Sequence, residues 1–174
     1  KKSASLAAWK RFAAAVSNEK SPEVSIAIVG KYFDTGNFVL SDAYLSVIEA
    51  VKFSAAKLGR QAKITWINSK DIEKGGAKAL MMLKGYQGII VPGGFGESGI
   101  EGKIKAIQYA REHKIPYLGL CYGMQLMVIE YARNVLKLKG AHTVEIQKNA
   151  QDPIVDVMLE QKKHLADNKY GGTM

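Results

Sequence analysis

Four short, largely apolar runs separated by helical patterns constrain the fold of this chain more than any other feature. The runs are Val24–Gly30, Lys63–Ile67, Gly88–Val91 and Ile115–Leu120. The first of them is too continuously apolar for a sheet that has one face in water. Strands that alternate with helices are typical of a parallel sheet covered by helices on both faces. The sequence therefore predicts an α/β fold with a mostly parallel sheet.

The segments between these runs carry the helical patterns. Asp42–Leu58 has apolar residues at helical spacing, and Gly59 is a typical helix stop. Asp71–Leu83 predicts a weaker helix because Gly75–Gly76 interrupts it. Met124–Leu136 predicts a helix that follows the fourth strand.

The start of the chain has the pattern of a connection. Lys1–Val16 carries apolar residues at helical spacing, and a turn-forming cluster follows at Ser17–Pro22. We interpret residues 1–20 as an interdomain helix and linker, and residues 21–174 as one domain. A chain of 174 residues with 47% hydrophobic content can bury one sizeable core. Because the chain begins with lysine, we expect it to be part of a longer protein.

Composition narrows the partners and the compartment. The formal net charge is +9, but the lysines are spread along the chain, so we predict a solvated basic surface and no nucleic-acid partner. No apolar run reaches the roughly 18 residues of a membrane span, so no membrane partner is expected. Cys121 is the single cysteine, which excludes an intrachain disulfide and favours a reducing, cytoplasmic location.

That cysteine lies at the predicted corner between the fourth strand and the helix after it. Gly119, Cys121 and Gly123 form a G-x-C-x-G pattern. Small residues on both sides let the strand turn sharply and present the thiol above the sheet edge, as in a nucleophile elbow. The N-terminus of the following helix favours a thiolate. A lone cysteine is more often an inert small hydrophobe, but this position favours a nucleophile.

A glycine-rich loop, Pro92–Gly99, follows the third strand. Sites in parallel sheets form beyond the carboxyl ends of the strands, so this loop and Cys121 lie side by side if their strands are neighbours. Gly94, Gly96 and Gly99 match G-x-G-x-x-G, but the acidic residue of a dinucleotide site is missing about 20 positions on. We therefore predict that adjacent glycines form an anion pocket for a developing oxyanion. The alternative is a tight turn without a ligand.

Several long motifs occur together in one order. They are Val91–Gly96, Gly99–Ile104, Tyr109–Glu112, Ile115–Gly119, Cys121–Gln125, Asp42–Ala50 and Gly171–Met174. Together they resemble the glutamine amidotransferase domain of the CTP synthases, across nearly the whole chain. A generic class I glutaminase would share the elbow and the Gly-Gly loop but not the first helix or the closing motif. The resemblance implies a flavodoxin-like class I glutaminase fold.

The resemblance also implies a reaction and a set of residues for it. In that family a cysteine attacks the side-chain amide of L-glutamine, which gives a glutamyl thioester and ammonia, and water then releases glutamate. Cys121 matches the catalytic nucleophile. The oxyanion hole matches Gly93, Gly94 and the backbone N–H of Tyr122. The glutamine-binding positions match Gly94, Phe95, Tyr122, Gly123, Met124, Gln125 and Glu145, the last at the α-amino end of the substrate.

Some of these residues also have a plain structural interpretation. Phe95 and Met124 could be core residues, Gln125 could cap its helix, and Glu145 could be a surface carboxylate.

The partners follow from the same resemblance. The ammonia passes to a separate synthetase domain of the same polypeptide, which aminates UTP to CTP with ATP and magnesium. No cofactor and no metal are expected in the glutaminase domain itself. The parent protein is expected to be a cytoplasmic homotetramer that assembles mainly through the synthetase domain.

The sequence departs from the family pattern where the base should be. A cysteine nucleophile needs a base and a group that orients it. The family supplies a histidine and a glutamate in a His-Pro-Glu segment, and a substrate-binding arginine, downstream of Gly-Gly-Thr-Met, where this chain has no residues. His113, His142 and His164 match no catalytic position. We therefore expect this chain alone to hydrolyse glutamine poorly or not at all.

Two smaller departures lie near the elbow and in the loop. Tyr122 stands where the CTP synthases usually have leucine, and Ser98 stands where they usually have arginine. The backbone role of Tyr122 survives its substitution.

Two other functions stay open. The first is a non-catalytic glutamine-binding or regulatory domain that kept the elbow and lost the base. The second is a flavodoxin-like cysteine peptidase or chaperone, but those proteins commonly place histidine directly after the cysteine, where this chain has Tyr122.

Overall fold

The computed structural model describes residues 6–18, 20–31, 44–94, 97–159 and 161–162. Its helices are α1 (Ala7–Val16), α2 (Leu45–Lys57), α3 (Ser69–Leu80), α4 (Ile100–Glu112) and α5 (Tyr122–Asn134). Its strands are β1 (Glu23–Gly30), β2 (Gln61–Asn68), β3 (Gly88–Val91), β4 (Tyr117–Gly119), β5 (Ala141–Thr143) and β6 (Asp152–Val155).

Within the described residues, the main sheet has four parallel strands in the order β2-β1-β3-β4. The predicted mostly parallel α/β fold is confirmed. Because β3 and β4 are neighbours, with Val91 opposite Gly119, the loops that follow them leave the sheet side by side.

Helices cover both faces of this sheet. The larger core packs β1, β3 and β2 residues against α3, α4 and α5, with Ile72, Ile104 and Leu126 among its fully or nearly fully buried members. On the other face Ile28 and Ile90 pack with Tyr44 and with Val47 and Val51 of α2. Each completely buried aliphatic side chain contributes about 1.5–3 kcal/mol.

The glycines end or bend the helices where the sequence indicates. Gly59 has φ +67° and follows α2, and Gly76 has φ 55° and kinks α3. Helix α5 begins two residues before the predicted start at Met124, because the chain turns at Cys121 and continues directly into the helix. The predicted segments at residues 1–5, 42–43 and 171–174 lie outside the described residues.

Two short parallel strands, β5 and β6, form a separate pair. Arg133 of α5 holds the start of β5, since its Nε–H donates to the Ala141 carbonyl at 2.7 Å. Its guanidinium also binds the Glu101 carboxylate of α4 at 2.8 Å. The segment that leads to Glu145 is therefore attached to both α4 and α5.

Helix α1 packs against α2 through an aromatic edge contact. The ring centroids of Phe12 and Phe53 lie 5.4 Å apart, while Trp9 remains 69% exposed. Among the helices that the structure describes, none has the length and apolar character needed to cross a membrane.

Candidate functional site

Cys121 lies at the end of the turn between β4 and α5. Its backbone has φ 52° and ψ −111°, a conformation that side-chain-bearing residues rarely adopt, and its side chain is exposed. Such a backbone costs about 1–3 kcal/mol and persists only where the surrounding structure fixes it. The geometry is that of the predicted elbow, with the thiol presented to solvent.

The two glycines of the pattern make this turn sterically feasible. A Cβ on Gly119 would lie 2.7 Å from the backbone of Gly123, and a Cβ on Gly123 would lie 1.9 Å from the Val91 carbonyl oxygen. Real Cβ atoms do not approach backbone atoms so closely. The chain can therefore place α5 directly against β3 and β4 only with glycine at both positions.

The loop after β3 reaches the same corner. A methyl group built on Gly93 would lie 3.3 Å from Cys121 Cβ and 3.7 Å from its Sγ. Tyr44 holds this loop from the α2 side, because its hydroxyl donates to the Gly93 carbonyl at 3.3 Å. The structure thus brings Gly93 and Cys121 together, and Gly94 follows directly. Phe95, in the predicted glutamine pocket, lies outside the described residues.

Tyr122 follows the cysteine and turns its side chain into the protein. The residue is 6% exposed, and its hydroxyl has no hydrogen-bond partner among the described residues. Burial, then the charges of Glu145 and Glu101, raise the pKa of Tyr122 to about 12, so the hydroxyl keeps its proton. The backbone N–H at this position begins α5, where backbone N–H groups lack helical acceptors.

Lys103 of α4 lies behind the same ring. Its ammonium is 6.0 Å from the centre of the Tyr122 ring, and the residue is 1% exposed. Burial, then the charge of Lys31, lower the pKa of Lys103 to about 8. Among the described residues no carboxylate forms an ion pair with it. The ring of Tyr122 is therefore next to a buried cation as well as being affected by the charges of Glu145 and Glu101.

Glu145 lies two residues beyond β5 and is exposed. Its backbone N–H donates to Thr143 Oγ1 at 3.3 Å, and its charge is close enough to raise the pKa of Tyr122. The fold thus brings Glu145 toward the start of α5. The sequence alone does not reveal this, since Glu145 lies 23 positions after Tyr122.

Met124 and Gln125 occupy the first turn of α5. Met124 is 51% exposed, so the alternative that it belongs to the core is wrong. Gln125 is half-buried, and its Oε1 is buried without a hydrogen-bond partner among the described residues. Buried amide oxygens normally have partners. A ligand or a water molecule would satisfy this one.

The described histidines form hydrogen bonds with backbone groups and not with the Cys121 thiol. His113 caps the C-terminal end of α4, where its ring stacks on Tyr109 at 3.8 Å and Nδ1 lies 2.9 Å from the Tyr109 carbonyl oxygen. His142 is 8% exposed in β5, and its Nδ1 accepts from the Thr143 N–H at 2.9 Å. His164 lies outside the described residues. Neither described histidine forms a hydrogen bond with Cys121.

The described part of the chain offers no metal centre. No group of three or more histidine, cysteine, aspartate or glutamate side chains is placed there to hold a metal ion.

Reasoning from the sequence missed two side chains at this corner. The Tyr117 hydroxyl donates to the Gly123 carbonyl at 2.8 Å, and the Lys103 ammonium lies behind Tyr122. Strand periodicity offered a signal for Tyr117, because residues two apart on a strand point to the same side and Gly119 is the first elbow glycine. No sequence signal marks Lys103 as buried.

The sequence and the fold of this chain are similar to those of one class of known proteins. The family model "Glutamine amidotransferase class-I" matches residues 39–168. The chain therefore belongs to the class-I glutamine amidotransferase family, and its α/β architecture is the flavodoxin-like fold of such glutaminase domains.

Within that family the chain is similar to CTP synthases. It is 51% identical over 168 residues to the CTP synthase of Caldanaerobacter subterraneus subsp. tengcongensis, a match that covers 95% of this chain and 29% of that protein. It is 47% identical to the CTP synthase of Bacillus subtilis, over 92% of this chain and 29% of that protein. The chain thus spans less than a third of the length of these relatives.

A solved structure shows the same fold. The glutaminase domain of Trypanosoma brucei CTPS, with bound acivicin, superposes with a TM-score of 0.71 at 37% identity. The match covers 78% of this chain and 50% of that one.

Proposed function

We propose that this chain is the glutaminase domain of a CTP synthase, with Cys121 as the nucleophile that releases ammonia from L-glutamine. The observation that carries the proposal is the exposed Cys121 thiol on a positive-φ elbow, packed beside Gly93. An elbow next to a glycine-rich loop is the arrangement that acyl transfer requires. The similarity to CTP synthases over 95% of the chain supports glutamine as the substrate.

The first chemical step belongs to Cys121. The base takes up the thiol proton, the sulfur bonds to the side-chain amide carbon of glutamine, and the π electron pair of the carbonyl moves onto its oxygen, which becomes negatively charged. In this proposal the backbone of the Gly93–Gly94 loop and the N–H of Tyr122 donate to that oxygen, and the closeness of Gly93 to Cys121 and the position of Tyr122 at the start of α5 support these roles. Collapse of the intermediate breaks the carbon–nitrogen bond, and ammonia leaves with a proton from the base.

The second step regenerates the thiol. Water attacks the thioester carbonyl, the carbon–sulfur bond breaks, and glutamate leaves while the sulfur regains a proton. Glu145 would bind the α-amino group of glutamine, and Met124 and Gln125 would line its pocket. An exposed Met124 and an unpartnered Gln125 Oε1 support these roles.

The base is the part of the site that we assign outside this chain. The resemblance attributes it to a histidine and a glutamate downstream in the parent polypeptide. The two described histidines, His113 and His142, form hydrogen bonds with backbone groups and none with Cys121, which supports this assignment. The chain by itself is then a weak glutaminase or an inactive one.

The rest of the parent polypeptide completes the reaction. We propose that residues 1–20 connect to a synthetase domain that aminates UTP to CTP with ATP and magnesium. The exposed Trp9 on α1 supports a contact with a further domain. The parent would be a cytoplasmic homotetramer.

Rates of CTP formation with glutamine and with ammonia as alternative nitrogen sources test the proposal. In the parent protein, Cys121→Ala should lower glutamine-dependent CTP formation by at least about 100-fold, because the nucleophile is removed. CTP formation from added ammonium chloride should stay within about twofold, since ammonia bypasses the thioester. Steady-state rates with each nitrogen source measure both effects.

The outcomes distinguish the alternatives. If the wild-type protein forms CTP from ammonia but never from glutamine, its glutaminase domain is non-catalytic and the proposal is wrong. Glutamine-dependent activity that survives in Cys121→Ala would require another nucleophile.

A further inference from the structure

The peptide after Gly123 is the point where β4 and α5 meet. Gly119 leaves no room for a side chain because its Cβ would lie 2.7 Å from the Gly123 carbonyl carbon and oxygen. On its other side Gly123 rests on the Val91 carbonyl. The Gly123 carbonyl thus lies in the contact between the strand before Cys121 and the helix after it.

Tyr117 makes a directional contact with this carbonyl. Its hydroxyl donates to Gly123 O at 2.8 Å, a good distance for an O–H donor. The bond joins residues six apart, and Cys121 lies between them. It therefore closes a small loop around the nucleophile, which the G-x-C-x-G pattern by itself does not do.

The surroundings keep Tyr117 in its donor form. Burial, and then the nearby Glu130 charge, raise the pKa of Tyr117 well above its usual value. Glu130 is 1% exposed and is fixed by Arg111, whose Nε–H and Nη2–H donate to it at 3.1 and 2.8 Å. Asn134 donates to the same carboxylate at 3.0 Å. A fixed negative charge near a buried phenol opposes its ionisation.

We propose that Tyr117 is a positioning residue of the elbow, whose hydroxyl holds the Gly123 peptide and thereby keeps Cys121 in its positive-φ conformation. This inference rests on the proposed function for its consequence in catalysis. Without the hydroxyl, the first turn of α5 is free to move away from β4, and Cys121 relaxes toward an ordinary backbone conformation. The thiol then no longer faces the amide carbon that it attacks.

The test uses the parent protein and acivicin, the ligand of the solved relative. Labelling of Cys121 is followed by mass spectrometry at several acivicin concentrations, which separates the maximal rate from the half-saturating concentration. Tyr117→Phe should lower the maximal rate about 3- to 10-fold, while the half-saturating concentration changes less than about twofold. A role in folding stability alone would lower the melting temperature and leave this rate unchanged.

Two further variants sharpen the result. Tyr131→Phe removes the hydroxyl of an exposed tyrosine on α5, the helix that follows Cys121, and should leave the labelling rate unchanged. Replacement of Tyr117 by 4-aminophenylalanine keeps an N–H donor in place and should restore the rate to within about twofold of the wild type. A Tyr117→Phe rate equal to the wild-type rate, or a loss that the amino analogue fails to restore, would overturn the inference.

Iodoacetamide separates this inference from the proposed function. Iodoacetamide alkylates a thiol without needing a glutamine pocket. The alkylation rate of Cys121 therefore measures the accessibility of the elbow even in a protein that does not react with acivicin. Tyr117→Phe should slow this alkylation at least about threefold, because the relaxed elbow no longer holds the thiol in its exposed position. A wild-type parent protein whose Cys121 resists acivicin counts against the proposed function, whereas equal iodoacetamide rates for wild type and Tyr117→Phe count against the positioning role.

Discussion

At the scale of single residues, the site depends on a few side chains in unfavourable surroundings. Cys121 has a positive φ, and Lys103 is a buried cation with a second cation, Lys31, close enough to affect its pKa. Proteins keep such arrangements mostly where function requires them. Both residues are next to Tyr122, since Cys121 precedes it in the chain and the Lys103 ammonium of α4 lies 6.0 Å from the centre of its ring, so these unfavourable features are concentrated at one corner.

The buried cation predicts an unusual dependence of stability on pH. Because the folded state lowers the pKa of Lys103 from 10.5 to about 8, the folded protein binds this proton more weakly than the unfolded chain. The free energy of unfolding should therefore rise with pH between about 8 and 10. At pH 7 the buried charge costs on the order of 3 kcal/mol. Lys103→Met should raise stability by about 1–3 kcal/mol at pH 7.

Urea unfolding from pH 7 to 9.5 measures this effect. In Lys103→Met the rise with pH should be much smaller than in the wild type. Lys84→Met removes an exposed lysine and serves as the control, with an expected change below about 0.5 kcal/mol. An unchanged pH slope in Lys103→Met would contradict the account of Lys103.

At the scale of elements, the site is the contact between the ends of two neighbouring strands and one helix. The order β2-β1-β3-β4 puts the loop after β3 beside the turn after β4, and the glycines let the backbones approach. Gly93 and Gly123 serve this contact differently. A Cβ at Gly123 would clash with the backbone of a central strand, whereas the atoms nearest to a Cβ at Gly93 belong to the Cys121 side chain and the Leu120 carbonyl and lie at 3.3 Å or more.

The two glycines should therefore separate folding from reactivity. Gly123→Ala should lower the free energy of unfolding by more than about 3 kcal/mol, because the added Cβ would clash with the Val91 carbonyl, which cannot move without the sheet. Gly93→Ala should cost less than about 1.5 kcal/mol but slow acivicin labelling of Cys121, because the added methyl crowds the thiol. Thermal unfolding measures the change in stability of each variant, and the rate of acivicin labelling measures the reactivity of Cys121. Equal stability of the two variants would refute this assignment.

The elements were more predictable from the sequence than their side-chain contacts. The apolar runs predicted four parallel strands, and the glycine pattern predicted the corner at Cys121, because period and turn chemistry are local properties. The Tyr117–Gly123 bond, the burial of Lys103 and the approach of Glu145 to Tyr122 depend on which helices pack together. Sequence patterns specify which face of a helix is apolar but not which polar side chain the partner element will enclose.

At the scale of the whole molecule, the described residues contain what we propose to be the attacking half of a glutaminase site. One sheet and its helices bring together Cys121, the glycine loop and the Glu145 segment. The chain covers 29% of a CTP synthase from Caldanaerobacter subterraneus and 50% of the solved Trypanosoma brucei glutaminase chain. The proposed base and the proposed use of ammonia belong to the larger polypeptide.

The identity of the residue labelled by acivicin tests the central claim most directly. The parent protein is treated with acivicin during glutamine hydrolysis, and peptide mass spectrometry locates the adduct. We predict one adduct on Cys121, with loss of glutamine hydrolysis in proportion to labelling. An adduct elsewhere, or full hydrolysis with Cys121 completely labelled, would contradict the assignment of Cys121 as the nucleophile.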